Sequence, residues 1–175
     1  YICVAYLVSY GTKVVGIDRA QALFAVLVAG TVAVITYPVF GALSDVVGRR
    51  PVFIGGVVAM GLAIGPAFAL INTGDPNRFL LAQLLVFGFA MAPAAGVTGS
   101  LFSLSFSAEV RYSGVSIGYT LSQVLGSAFA PTIATALLAA TGTSMSIVAY
   151  LVGVSVISAA SAGFLPGGPS RSHPG

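Results

Sequence analysis

Long stretches without a charged residue alternate with short polar connections. Ala20–Leu43, Val52–Gly74, Phe79–Ala108 and Tyr112–Ser170 carry no Asp, Glu, Lys or Arg. A helix needs about 20 apolar residues to cross a hydrocarbon core of about 30 Å. The first three runs therefore predict one membrane-spanning helix each. The fourth is too long for one helix. Ala140-Thr141-Gly142-Thr143-Ser144, where glycine and hydroxyl residues favour a turn, divides it in two. The opening run, Tyr1–Thr12, is apolar but too short to span alone. The expected helices cover roughly 1–12, 20–43, 52–72, 79–104, 114–140 and 146–165. The pattern predicts an all-α, polytopic membrane helix bundle over 1–165, with antiparallel neighbours and a disordered tail at 166–175.

Composition sharpens this picture. Hydrophobic residues make up 57% of the chain, and only seven basic and four acidic side chains are present among 175 residues. That is too few to solvate a globular surface. The net charge of +3 is no sign of nucleic-acid binding, because the basic residues are scattered over loops and tail without a patch. Cys3 is the only cysteine and His173 the only histidine, so neither an intrachain disulfide nor a Cys-based metal site can form. No cofactor or metal is expected. The sequence starts without Met inside an apolar run, which predicts a fragment cut within a helix. A signal peptide fits Tyr1–Thr12 poorly, since no basic segment precedes it.

Small residues recur at every fourth position in two of the expected helices. One carries Gly88, Ala92, Gly96 and Ser100; the other carries Gly114, Gly118, Ser122, Gly126, Ala130 and Ala134. Such faces let helix backbones approach closely in lipid. Pro38, Pro66, Pro93 and Pro131 lie inside four helices, where each removes a backbone hydrogen bond and can kink the rod.

The densest cluster of charge joins the second and third expected helices: Gly41-Ala42-Leu43-Ser44-Asp45-Val46-Val47-Gly48-Arg49-Arg50. Asp45 lies within reach of Arg49 if the segment is turn-like or helical at i,i+4. Gly48 allows a tight turn, and Pro51 suits the first turn of the next helix. A plain interfacial anchor would need the arginines, but not Asp45 or the two glycines at fixed spacing. The spacing G-x-x-x-D-x-x-G-R-R resembles the signature loop of the major facilitator superfamily of transporters. The stretch Ser105–Tyr119, with Glu109 and Arg111, is similar to the metabolite:proton symporter family within it, which includes shikimate, α-ketoglutarate and proline/betaine carriers. Tyr6–Tyr10 and Ala130–Thr135 are similar to that family too. The resemblance covers nearly the whole chain, as helices seven (partial) to twelve.

That resemblance implies a fold and a set of roles. Asp45 and Arg49 would form a conformational latch, with Gly41, Gly48 and Arg50 in support. The acidic residue would meet a helix N-terminus of the opposite half, where the dipole favours negative charge. Glu109 and Arg111 would belong to a second part of the cytoplasmic gate, or else form a solvated loop pair. The lysine and arginine bias is slight: Arg49, Arg50, Arg111 and Arg171 on one side, Lys13, Arg19 and Arg78 on the other. The resemblance places the Arg49/Arg50 turn and the tail in the cytoplasm, and the protein in the cell (inner) membrane.

In such a carrier the substrate site lies near the bilayer midplane between two halves. The polar candidates to face it are Tyr6, Ser9, Tyr10, Tyr37, Gln83, Tyr119 and Gln123. Tyr119 and Gln123, four apart, share a helix face. Each of these side chains can equally serve an interhelical hydrogen bond. No ionisable Asp, Glu, Lys, Arg or His falls inside an expected span. Proton coupling needs a titratable group in the pathway, so the resemblance implies that this group sits in an N-terminal half of the same carrier. The expected partners are a small organic metabolite, a proton, the lipid bilayer and that half. A non-transporting membrane receptor or scaffold on the same bundle is the competing reading. A membrane-embedded enzyme would need a nucleophile with a base, or a metal cluster, within the spans.

Overall fold

In the computed structural model, residues 2–104 and 111–164 are described, and they form helices throughout. Glu109 and the segment 165–175 lie outside the described residues, so the gate loop and the tail have no structural counterpart here. The first rod runs through α1 (Leu7–Tyr10), with wide π-helical turns at Ile2–Tyr6 and Gly11–Val15 on either side. Then follow α2 (Arg19–Val47), α3 (Arg49–Ile71), α4 (Pro76–Gln83), a π-helical segment Leu84–Ala90, α5 (Ala92–Leu104), α6 (Arg111–Thr141) and α7 (Met145–Phe164). Five helical paths are long and apolar enough to cross a membrane.

Each helix end has a local cause. Asp18 caps α2, its carboxylate accepting from the Ala20 and Gln21 N–H groups at 3.0 and 3.4 Å. Asp75 caps α4 by accepting from Asn77 N–H at 2.9 Å, and Pro76 takes the first helical position. The α6–α7 turn passes through Gly142 in the left-handed region, with φ of 68°, and the Thr143 hydroxyl accepts from Met145 N–H at 3.1 Å.

The expected loop at 44–51 is almost entirely helical. α2 continues through Asp45 to Val47 and α3 starts at Arg49, so the break is the single residue Gly48. Polarity marked where the chain leaves lipid, but the helix end is set by backbone geometry.

The core is built around α3. Ile64, Ala67, Phe68 and Ile71 pack with Leu7, with Phe79, Ala82 and Val86, and with Ile147 of α7. α2 contributes a stripe of buried alanines, Ala22, Ala25, Ala29 and Ala33. α5 is wedged between α2 and α3 at two glycines. A Cβ on Gly96 would stand 2.6 Å from the Tyr37 carbonyl oxygen, and one on Gly56 would strike the α5 backbone at Pro93 and Ala94. These contacts are the close helix approach that small residues permit.

The small-residue stripe of α6 behaves differently. Nothing lies within 4 Å of a Cβ added at Gly118 or Gly126. α6 is largely exposed, with Ile117, Tyr119, Leu121, Val124 and Phe129 turned outward. Along the face expected there for close packing, Gly118 and Gly126 meet nothing among the described residues, whereas Ala134 is buried in the core and Ala130 packs against it. Spacing shows which face can pack closely, not what packs on it.

The path from Pro76 to Leu104, expected as one regular helix, widens over Leu84–Ala90. Met91 N–H reaches back five residues to the Val86 carbonyl at 2.9 Å. Pro93 has no N–H to give Gly88 at the same spacing. The Thr36 hydroxyl of α2 donates to the Gly88 carbonyl instead, at 2.8 Å. A neighbouring helix thus satisfies a backbone group left over by proline, as a membrane interior requires.

Candidate functional site

The charged turn assembles from the ends of α2 and α3. Gly48 has φ 106° and ψ 143°, a conformation open almost only to glycine. Its N–H bonds the Ser44 carbonyl at 2.9 Å and closes α2. The buried Ser44 hydroxyl donates to the Gly41 carbonyl at 2.6 Å. Gly41 lies beside the Gly96 carbonyl, 3.6 Å from its would-be Cβ. One residue type at each position therefore serves one geometric need.

Across Gly48, Arg49 pairs with Asp45 at 3.4 Å, with the two side chains 36% and 68% exposed respectively. So exposed a pair contributes about 0–1 kcal/mol. Both charges also oppose their helix dipoles. Asp45 stands in the last turn of α2, where the dipole end is negative, and Arg49 in the first turn of α3, where it is positive. Stability alone would place them the other way round.

Arg50 does something else. Its Nη2 donates to the carbonyl of Gly163, next to the last described residue of α7. A guanidinium there lies at the C-terminal end of the described part of α7, toward which the helix dipole is negative. Arg49 and Arg50 are adjacent in sequence but act on different helices. No spacing signal could have revealed the second contact, since its partners are 113 residues apart.

The polar candidates fall into separate places. Tyr6 and Tyr10 lie together in the core with ring centroids 6.3 Å apart, and Tyr10 meets Phe68 edge-on at 5.3 Å. The Tyr10 hydroxyl donates to Asn72 Oδ1 at 2.8 Å, and Asn72 Nδ2 donates to Ser144 Oγ at 3.0 Å. Sequence reasoning missed Asn72, whose only local sign is its place at the end of an apolar run. Tyr37 is partly buried on α2 beside the α5 crossing. Gln83 is fully buried, with neither amide atom hydrogen-bonded. Gln123 Nε2 donates to the Tyr119 hydroxyl at 2.8 Å on the outward face of α6. The structure thus joins Tyr6 to Tyr10 and Tyr119 to Gln123, and leaves Tyr37 and Gln83 apart from both pairs. Arg111 opens α6, and its side chain lies outside the described residues.

The family model of the Major Facilitator Superfamily matches residues 2–174. The chain belongs to this superfamily. It is 31% identical to the shikimate transporter of Escherichia coli (strain K12) over 163 residues, covering 93% of this chain and 37% of that protein. It is 30% identical to the citrate-proton symporter of Klebsiella pneumoniae over 142 residues, 81% of this chain and 32% of the symporter. A proline/betaine transporter of Escherichia coli (strain K12) is 29% identical over 157 residues, 90% of this chain and 31% of the transporter. The chain thus spans about a third of the length of these curated relatives. No solved structure matches it.

These relatives set the chain among the metabolite:proton symporter-type members of the major facilitators. They are transporters rather than enzymes. Together with five apolar helical paths, they make this a multi-pass membrane protein.

Proposed function

We propose that this chain is the C-terminal half of a proton-coupled symporter for a small organic metabolite, working by alternating access. The carrying observation is the likeness to the shikimate transporter over 93% of the chain. In this reading the opposing half and the titratable proton site belong to sequence outside this chain, and the 37% coverage of that transporter supports it. The bundle is then one of two bodies that rock about a central site. Tyr6, Tyr10, Tyr37, Gln83, Tyr119 and Gln123 are the substrate-facing candidates on this side. Tyr119 and Gln123 are the best placed, because they already share a hydrogen bond on an uncovered helix face.

The Asp45–Arg49 pair is the latch in this reading. Its support is the inverted placement of both charges against their helix dipoles, which an N-terminus of the opposite half would relieve for Asp45. The turn and the tail face the cytoplasm, with Glu109 and Arg111 in the same gate.

Uptake of radiolabelled shikimate, citrate, proline and betaine by cells expressing the full-length protein tests the proposal. The expected result is uptake of at least one probe that collapses with a protonophore and slows several-fold in Asp45→Asn. Absence of uptake for every probe refutes the symporter. Uptake indifferent to the protonophore removes proton coupling, and uptake indifferent to Asp45→Asn removes the latch.

A further inference from the structure

At the end of the bundle opposite the charged turn, Ala5, Val8, Ser9, Thr12 and Lys13 of the first rod and Arg19 of α2 line a half-open cavity of about 310 Å³. The separation from the charged turn is the length of α2, whose 29 residues span about 43 Å. The five positions on the first rod are spaced as one helical face. Tyr6 and Tyr10 occupy the opposite, core-facing side. The cavity is therefore a feature of the face that the core does not use.

The turn that brings Lys13 opposite Arg19 is built rather than slack. Gly16 takes the left-handed conformation, with φ of 84°. Ile17 is buried in the core, and its N–H bonds the Gly11 carbonyl at 2.9 Å. Asp18 then caps α2. Neither cation pairs with a carboxylate among the described residues. The ion pairs among the described residues are Asp45–Arg49 and Asp75–Arg78. The one acid beside the cavity, Asp18, has its carboxylate on the Ala20 and Gln21 N–H groups. Two like charges around one small space repel each other, and a bound anion reverses the sign of that energy. Ser9 adds a hydroxyl group to the wall, while the Thr12 hydroxyl donates to the Val8 and Ser9 carbonyls at 2.9 and 3.2 Å.

We propose that this cavity is an entry site for small organic carboxylates, which Lys13 and Arg19 draw from solution ahead of the central site. The inference rests on the carrier reading and narrows it, favouring net-anionic substrates over zwitterions. The volume lies at the lower end of ligand pockets, about 300–1,000 Å³, which suits a compact monocarboxylate. Attraction of this kind acts on capture rather than on the transport step, and it weakens with salt.

The test uses the full-length carrier in proteoliposomes and the double variant Lys13→Gln/Arg19→Gln. With shikimate, the expected result is a salt-dependent KM in the unmodified carrier, and in the double variant a KM raised roughly tenfold with kcat unchanged and the salt dependence lost. With glycine betaine, KM stays the same. Lys13→Arg/Arg19→Lys, which keeps both charges, retains shikimate capture and controls for folding. An unchanged shikimate KM overturns the proposal, and so does an equal loss for betaine. Competition by inorganic phosphate as strong as by shikimate would show a general anion site and overturn the carboxylate assignment. Equilibrium binding of shikimate to the purified protein separates the two readings. Salt-sensitive binding that needs Lys13 and Arg19, without transport of any probe, keeps this site and removes the carrier. Transport that is indifferent to the double variant keeps the carrier and removes this site.

Discussion

Gly96 offers a sharp test of how the bundle is held. A Cβ at this position would lie 2.6 Å from the Tyr37 carbonyl oxygen and 3.3 Å from the Gly41 nitrogen, both backbone atoms of α2. Neither can rotate away, so Gly96→Ala must push α2 and α5 apart by about 0.8 Å to restore ordinary contact. A gap of that size forfeits about a quarter to a half of the dispersion energy along the crossing. Overpacking of this kind costs about 1–3 kcal/mol. The alanine recovers about 0.8–1 kcal/mol of helix propensity, which leaves a net loss of about 0–2 kcal/mol. Gly99, three residues on along the same helix, has nothing within 4 Å of its would-be Cβ. Gly99→Ala should therefore gain up to about 1 kcal/mol from propensity alone. Thermal melting of the purified protein in one detergent should lower the midpoint for Gly96→Ala and hold or raise it for Gly99→Ala. Equal shifts for the two variants would refute the close crossing, because propensity is then the only effect at work.

Three further outcomes follow from single contacts. Gly48→Ala places a side chain at φ 106° and should cost about 1–3 kcal/mol by the same melting assay, more than Gly142→Ala at φ 68°, where the left-handed cost is about 1–2 kcal/mol. Arg50→Ala should destabilise by about 0.5–1.5 kcal/mol and speed amide hydrogen exchange near Gly163 while leaving the Gly142 turn unchanged; equal exchange at both ends of α7 would count against the contact. Thr36→Val removes the donor to the Gly88 carbonyl and should cost about 1–3 kcal/mol, whereas Thr31→Val, which loses only a bond within its own helix, should leave the melting midpoint nearly unchanged.

The parts of this fold that were legible in the sequence are those governed by local rules. Charge-free runs mark membrane helices because no charged side chain is left in lipid without a reason. The turn at Gly142 was legible for the same kind of reason, since its residues act on their own backbone. What stayed hidden depends on distant partners. The widening at Leu84–Ala90 follows from Pro93 and Thr36 together, and no window of sequence contains both. Ser44–Pro51 read as a loop because polarity reports depth in the bilayer, yet helical geometry persists through Asp45 and stops only at Gly48. For the candidate site, the residues of the charged turn were legible as a set, but the separate duty of Arg50 was not. The stripe on α6 gives the opposite lesson, for Gly118 and Gly126 look made for a close neighbour and meet none among the described residues.

The division of labour between Arg49 and Arg50 gives the turn a mechanical meaning. α3 and α7 run antiparallel and are tied at both ends, by Arg50 to the Gly163 carbonyl at one and by Asn72 to Ser144 at the other. Between these ties Gly61 brings α3 close to Ser155, 3.2 Å from its would-be Cβ. A pair held at three levels moves as one piece, since bending either helix breaks contacts with the other. Arg49 opens α3 and pairs across Gly48 with Asp45, which belongs to the last turn of α2 rather than to that piece. They can exchange partners without loosening α3 from α7. If a single arginine did both jobs, each change at the turn would also release the end of α7. In the latch reading proposed above, two adjacent arginines with different partners would let the turn switch while α3 stays joined to α7.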